Sequence, residues 1–463
     1  MNDEMNAEMT DVTHNDVMSD DVMSDDVMSD DVTHDADGSR SKKGKAAARR
    51  SKVPLLAILP VTVTSLVIGL PFVVGDHPLR WRPGSLEPAL VLRDSASDPA
   101  RTTAHGSTGP AAGGAEPEKT EEALPAGPVP KVDKPWKAGM PEWGVQIFWE
   151  DKKDRDDAYI ENQARRQAAY LVGLKANAVS VSFPFYTEGR TSTKLAAGRG
   201  TPTPEHLDTV LRVFHEAGLR TTVRPTLDEA VLVPPEGWRG NIKPTDKDAW
   251  FDAYGALLGP YLDVAQRRQA ATFVIGTELN SMEGHPGWKG LIAAAEKRFK
   301  GEVSYDANWD NYVGGHIDVP VERLGVDAYF PVKVPDDAPV DQLVDGWNTW
   351  LDKKSKGPLP RIVLAEAGIS AMDGAYYAPG DFYARRKLNP TVQANWYKAV
   401  CQVVRERKMT GVYWWSVTFD ADPKAAPKEH DSRLNFAGRP DSEREIRACF
   451  GSDYAGPGAA STP

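Results

Sequence analysis

The chain has 463 residues, of which 41% are hydrophobic and 26% charged. That is enough apolar material for a large core and more length than one ordinary domain needs. Two cysteines exclude a disulfide scaffold and any cysteine-built zinc or iron–sulfur site, and the net charge of −11 comes without a basic stripe for nucleic acid.

Residues 1–39 carry thirteen acidic side chains and no Lys or Arg, in repeats of the DDVMS type. Low complexity and few large apolar residues predict a disordered acidic tail, to which composition assigns no partner. Residues 40–52 then carry seven Lys or Arg and no acid. The run VPLLAILPVTVTSLVIGLPFVVG at 53–75 has no charge and is long enough to cross a bilayer as a helix. The basic cluster ahead of it predicts a single-pass signal anchor in the cell membrane. The N-terminal tail of residues 1–52 is then cytoplasmic and everything downstream extracellular. A cleaved signal peptide is the rival reading, against which stand the long n-region and the lack of an A-x-A site. Residues 76–133 are rich in Pro, Gly, Ala, Ser, Thr and Glu with no helical or strand period, which predicts a flexible stalk.

From about Lys134 to Phe450 one pattern repeats, a short apolar strand followed by an amphipathic helix. The strands are read at 143–149, 178–186, 220–228, 271–280, 302–310, 324–332, 361–369 and 411–420. The segment 202–218 has a Thr cap, a Pro in the first turn and a closing Gly, and 390–409 has apolar residues at helical spacing with basic residues at its end. The fifth helix is weak, with only VPVERL between the fifth and sixth strands. Eight units predict an α/β fold of the (β/α)8 TIM barrel type over 134–450, with 451–463 a flexible tail. A doubly wound open sheet is the alternative. It would carry a Gly-rich phosphate loop after the first strand, where this chain reads FWEDKKD.

Barrel chemistry sits at the C-terminal ends of the strands. Those ends hold Trp149 and Glu150, Tyr186, Arg224 and Asp228, Glu278 and Asn280, Asp306, Asn308 and Trp309, Tyr329, Glu366, Trp414 and Trp415. Histidines do not cluster there, which argues against a metal-dependent hydrolase. No cofactor is implied, and no EF-hand loop appears. Carboxylates among Trp and Tyr describe a sugar site. Glycoside hydrolysis needs two carboxyl groups flanking one bond, about 5–5.5 Å apart in retaining enzymes. Glu278 and Glu366 end the fourth and seventh strands, which face each other across the mouth of an eight-stranded barrel.

IGTEL in the fourth strand, SYDANWD in the fifth, VDAYFPV in the sixth, AEAGI in the seventh and YWW in the eighth resemble glycoside hydrolase family 113. The resemblance runs in order through residues 140–420. It implies a clan A (β/α)8 barrel and a retaining β-1,4-mannanase-like activity. It also implies Glu278 as acid/base, Glu366 as nucleophile, Tyr329 as hydrogen-bond donor to the nucleophile, and Trp414 or Trp415 as the floor of the subsite for the attacked sugar. Asn308 and Trp309 match the family's ANW strand end. The chain departs from the family and clan patterns at three places: Thr277 precedes the acid/base where many clan A enzymes carry Asn, and Ala365 and Ile369 flank the nucleophile where the family usually reads TE-V/I-GY.

In such a site Glu278 needs an environment that raises its pKa, and Glu366 needs one that favours its charge, from Tyr329 or Arg224. Arg224 reads equally as a structural ion pair with Asp228 or Glu150. Trp149, Trp309, Trp414 and Trp415 are sugar platforms or core residues. Adjacent Trp414 and Trp415 point to opposite sides of their strand, so at most one touches substrate. Asp306 and Asp310 bind sugar hydroxyls or cap the next segment. His285 and His316 read as surface residues. Cys401 and Cys449, on the last two helices, form a disulfide or stay as two buried thiols.

Three functions compete: a membrane-anchored extracellular retaining hydrolase of β-1,4-mannan or a related β-glycan, the same machinery acting on a cell-envelope polysaccharide, and a non-catalytic surface glycan-binding protein. The two opposed glutamates argue against the third.

Overall fold

A computed structural model describes residues 127–458 except 228–231, 233–237, 316, 382–383 and 428–432. The acidic repeats, the apolar run 53–75 and nearly all of the stalk therefore lie outside the described residues. Among the described residues no helix is long and apolar enough to cross a membrane.

The chain forms β1 (Glu142–Phe148), α1 (Asp157–Gly173), β2 (Ala178–Thr187), β3 (Leu195–Ala196), α2 (Pro204–Glu216), β4 (Arg220–Leu227), α3 (Lys247–Arg267) and β5 (Thr272–Thr277). It continues with α4 (Gly287–Arg298), β6 (Glu302–Asn308), α5 (Trp309–Gly314), β7 (Arg323–Asp327), α6 (Val340–Leu351), β8 (Ile362–Ala367), α7 (Pro390–Glu406), β9 (Gly411–Thr418) and α8 (Pro440–Phe450). Eight strands run parallel, and β1 pairs with both β2 and β9, which closes the barrel. The two-residue β3 is added antiparallel to β2. The fold is thus the (β/α)8 barrel that the sequence predicts.

The strands read as nearly continuous buried runs because each is covered on both faces, by helices outside and by the barrel interior within. Helix starts follow from side-chain chemistry. Asp156, Thr203 and Asp246 accept from backbone amides of the first turns of α1, α2 and α3, and Pro204 at the start of α2 gives up a donor that has no partner there anyway. The fifth helix corrects the sequence reading. It is WDNYVG immediately after β6, not VPVERL, and Asn308 caps it by accepting from Asp310 N at 3.4 Å. The strand read through residue 310 therefore stops at 308.

The barrel interior is polar in layers. At its N-terminal end Glu142 accepts from Arg323 through both oxygens, at 2.9 and 2.6 Å, and from the Tyr413 hydroxyl at 2.7 Å. Burial pushes the Glu142 carboxyl up, but Arg323 and Arg220 outweigh it and hold its pKa below the usual range. Above this, Ser182 Oγ donates to Gln146 Oε1 at 2.8 Å and Gln146 Nε2 to Ala365 O at 2.7 Å. The ends of the described chain close the base. Val129 and Val132 are buried there, Tyr454 donates its hydroxyl to Met409 O at 2.7 Å, and Trp143 packs between Phe450 and Tyr454. Parts of the stalk and of the C-terminal tail thus belong to the folded domain. Cys401 on α7 and Cys449 on α8 are joined as a disulfide with Cα atoms 5.8 Å apart, which resolves the two readings left by the sequence.

Candidate active site

The C-terminal end of the barrel brings together four carboxyl groups and two arginines. Arg224 on β4 is fully buried and stands at the centre. Its Nε donates to Asp306 Oδ2 at 2.7 Å, its Nη2 to Asp327 Oδ2 at 2.8 Å, and its Nη1 lies 2.6 Å from Glu366 Oε1. The planar fork is thus held on two edges by β6 and β7, and the third edge meets Glu366 on β8. Asp306 reaches Arg224 because the facing residue on β7 is Gly325: a Cβ there would stand 2.2 Å from Asp306 Oδ1. The three carboxylates keep the guanidinium charged, and its pKa stands well above the ordinary value although burial opposes this. Burial and the neighbouring carboxylates push Asp327 up, against the pull of Arg224.

Glu366 lies near the end of β8 and has a second donor. Tyr329, two residues beyond β7, gives its hydroxyl to Glu366 Oε2 at 2.5 Å. One Glu366 oxygen therefore accepts from a phenol, and the other is paired in charge with a guanidinium.

Glu278 follows β5 directly, with backbone φ of +53°. That left-handed conformation is strained for a residue with a side chain, by about 1–3 kcal/mol. Two hydrogen bonds from β6 hold it: Glu278 N donates to Asp306 O at 2.8 Å, and Leu279 N to the Tyr305 hydroxyl at 2.9 Å. Tyr305 in turn donates to Glu283 at 2.8 Å, so its oxygen is turned to accept from Leu279. The Glu278 side chain is buried and accepts at Oε2 from Arg239 Nη1 at 2.7 Å. Burial raises its pKa to about 7, helped by the charge of Glu366 and opposed by Arg239 and Arg224. The charge of Glu366 thus reaches Glu278, and the two glutamates share one site.

The remaining residues separate into those that reach the mouth and those that do not. Trp415 packs with Phe148 and Leu434, and its ring centre lies 5.9 Å from the Arg224 guanidinium. Trp414 is buried on the other side of β9, where its ring lies 4.9 Å from Tyr397 of α7. The two rings face opposite sides as expected, and Trp415 is the one beside the polar cluster. Trp149 is fully buried against Phe419, ring centres 4.6 Å apart, and Trp309 packs edge-on against Trp350 of α6 and Phe330. Both are engaged in packing rather than set out as flat platforms. Asn308 is engaged as the cap of α5, and Asp310 accepts from Asn311 N at 2.6 Å. Asp306 is an ion-pair partner of Arg224, not a cap. Arg224 itself pairs with Glu366, the contact expected of a group that favours the charged carboxylate, and also with Asp306 and Asp327, and Asp228 and His316 lie outside the described residues. His285 stacks on Phe251 with ring centres 5.1 Å apart. Among the described residues no group of His, Cys, Asp and Glu is arranged to hold a metal ion.

Asp327 and Arg239 are the two members that sequence reasoning passed over. Asp327 has a readable signal, an acid inside the apolar strand VDAYF, which burial tolerates only with a partner. Arg239 has none, since it sits in an irregular stretch with no period. Near the strand ends Thr226 Oγ1, Thr277 Oγ1, Asn280 Oδ1 and Trp415 Nε1 are buried with no hydrogen-bond partner among the described residues. The two substitutions beside Glu366 are absorbed inside the protein. Ala365 lines a small interior cavity with Gln146, Ser180 and Asp306, and Ile369 is fully buried.

A closed (β/α)8 barrel whose mouth gathers carboxyl groups, arginines and a tryptophan is the architecture of a glycoside hydrolase. Residues 148–436 match the model of Glycoside Hydrolase Family 113, and the chain belongs to that family. Among solved structures, a complex of a family 113 β-1,4-mannanase aligns with a TM-score of 0.57 at 20% identity, covering 68% of this chain and 99% of that one. The family 113 β-mannanase from Alicyclobacillus acidocaldarius, in complex with ManMIm, aligns with a TM-score of 0.54 at 20% identity, covering 67% and 97%. At these identities the likeness is one of fold. No curated protein shows significant similarity to the chain.

Proposed function

We propose that this protein is a retaining glycoside hydrolase that cleaves β-1,4-linked mannan or a related β-glycan by double displacement. The observation that carries the proposal is the contrast between the two glutamates. Glu278 is buried with its pKa raised to about 7, so it is largely protonated below neutral pH, where an ordinary carboxyl is ionised. Glu366 is ion-paired with Arg224 and accepts a hydrogen bond from Tyr329. One group is arranged to give a proton and the other to attack.

In the first step Glu366 attacks the anomeric carbon while Glu278 protonates the leaving oxygen. Tyr329 and Arg224 keep the attacking carboxylate in place. In the second step Glu278, now ionised, takes a proton from water as the water displaces Glu366 and the sugar leaves with its original configuration. Trp415 is suited to the floor of the subsite for the attacked sugar, and the unpartnered atoms of Thr226, Thr277, Asn280 and Trp415 suit sugar hydroxyls.

The uncharged run 53–75 behind its basic cluster supports a membrane anchor that holds the barrel outside the cell. A tethered enzyme works near its own surface, and this favours a cell-envelope polysaccharide as the second substrate reading. The test is to incubate the full chain with mannan, glucomannan, cellulose and xylan oligosaccharides, and with isolated envelope polysaccharide, and to identify products by mass. Cleavage of mannooligosaccharides supports the first reading, and cleavage of envelope polysaccharide alone the second. Tight binding with no cleavage of any of them contradicts both and leaves a glycan-binding protein.

A further inference from the structure

Arg239 presents a chemical conflict. It lies in the short turn Arg239–Asn241 between β4 and α3, it is buried, and its Nε is fixed to Leu227 O at 3.0 Å. From there Nη1 reaches Glu278 Oε2 at 2.7 Å. A cation on a general acid favours the form that has already lost its proton. An enzyme that only needed a proton donor at this position gains nothing from that contact. Glu278 Oε1, by contrast, has no hydrogen-bond partner among the described residues.

We propose that Arg239 is a positioning residue for Glu278: by taking Oε2 it leaves Oε1 as the oxygen that exchanges the proton, and its charge lets one carboxyl serve both half-reactions. The inference rests on the double-displacement reading above. When the C1–O bond to the leaving group breaks, the leaving oxygen keeps the electron pair and receives the proton from Oε1. Glu366 has by then become a neutral ester. The charges and titratable groups that face Glu278 among the described residues are Arg239, Glu366 on β8, Arg224 on β4, Asp327 and Tyr329 beyond β7, and Tyr305 on β6. Esterification removes the repulsion from Glu366, while Arg239 remains. Glu278 is then stabilised as the anion that must accept a proton at Oε1 as water attacks C1 and the C1–O pair returns to Glu366. Arg224 cannot replace Arg239 in this, because its hydrogen bonds go to β2, β6 and β7 and its third edge to Glu366.

The test compares the full chain with its Arg239→Gln and Arg239→Lys variants in two ways. The first is the pH dependence of kcat/KM on mannopentaose. The second, which needs no turnover, is the titration of the Glu278 carboxyl by carbon-13 NMR. Arg239→Gln should move the alkaline limb and the Glu278 titration upward together, by about one pH unit or more. It should also lower kcat more than kcat/KM on a substrate with a dinitrophenyl leaving group, because the second half-reaction then limits. Arg239→Lys keeps the charge and should return the limb most of the way to wild type. If wild type cleaves mannopentaose and neither limb nor titration moves in Arg239→Gln, the inference is wrong and Arg239 only supports the fold. If the titration moves but wild type cleaves no β-glycan, the functional reading fails and the electrostatic role of Arg239 stands. Should Arg239→Gln not fold, Arg239→Met fills the same volume without charge and carries the same prediction.

Discussion

Tyr329 and Glu366 come from neighbouring strand ends, and the phenol of one donates to Oε2 of the other at 2.5 Å. The contact is buried, and burial and the carboxylate push the Tyr329 hydroxyl far above its ordinary pKa, so it keeps its proton and donates. Tyr329→Phe removes only that oxygen. We expect kcat to fall by about 10–100-fold, as for loss of a hydrogen bond to a reacting group, with melting temperature nearly unchanged. Steady-state kinetics beside thermal unfolding checks this.

The pH dependence follows from Glu278. The first half-reaction needs its protonated form, and the proton is lost as pH rises through about 7. Below that value kcat/KM should be flat with respect to this group. Above it, kcat/KM should fall about tenfold per pH unit. A profile that stays flat to pH 9 would show that Glu278 does not supply the proton.

The paired tryptophans of β9 predict opposite defects. Trp414 is buried against α7, and Trp414→Ala leaves a cavity that should cost about 3–5 kcal/mol of stability. Trp415 lies beside Arg224, so Trp415→Ala should weaken substrate binding more than folding. Denaturant unfolding and KM measured on both variants separate the two cases.

The barrel is legible in the sequence because parallel strands covered on both faces leave unbroken apolar runs, and because caps such as Thr203 and Pro204 mark helix starts. Glu278, Glu366 and Tyr329 are legible because each stands at the C-terminal end of such a run. What is not legible comes from packing at a distance. Nothing local to Arg224 says that Asp306 and Asp327, from two other strands, join Glu366 as its partners. Trp309 fits a family motif, yet its ring turns into the helix layer because the chain leaves β6 at Asn308 and enters α5 at Trp309. Arg239 reaches the site from an irregular segment that carries no period at all.

The disulfide links helices that the chain separates by 48 residues. Closing a loop of that length removes unfolded-state entropy worth about 4 kcal/mol in the chain-entropy model. The double variant Cys401→Ala, Cys449→Ala should therefore melt lower than wild type under non-reducing conditions, and reductant should lower the wild-type melting temperature but not that of the variant. Equal melting of both proteins in oxidising buffer would mean that the bond is not formed in the purified chain.

Double displacement at Glu366 is the central claim, and a covalent intermediate tests it most directly. The full chain is incubated with a 2-deoxy-2-fluoro-β-mannosyl substrate carrying a dinitrophenyl leaving group, and its peptides are read by mass spectrometry. The account predicts one glycosyl adduct, on the peptide that contains Glu366, absent from Glu366→Ala. Turnover of mannooligosaccharides with inverted product and no adduct, or an adduct on a different carboxylate, would contradict it.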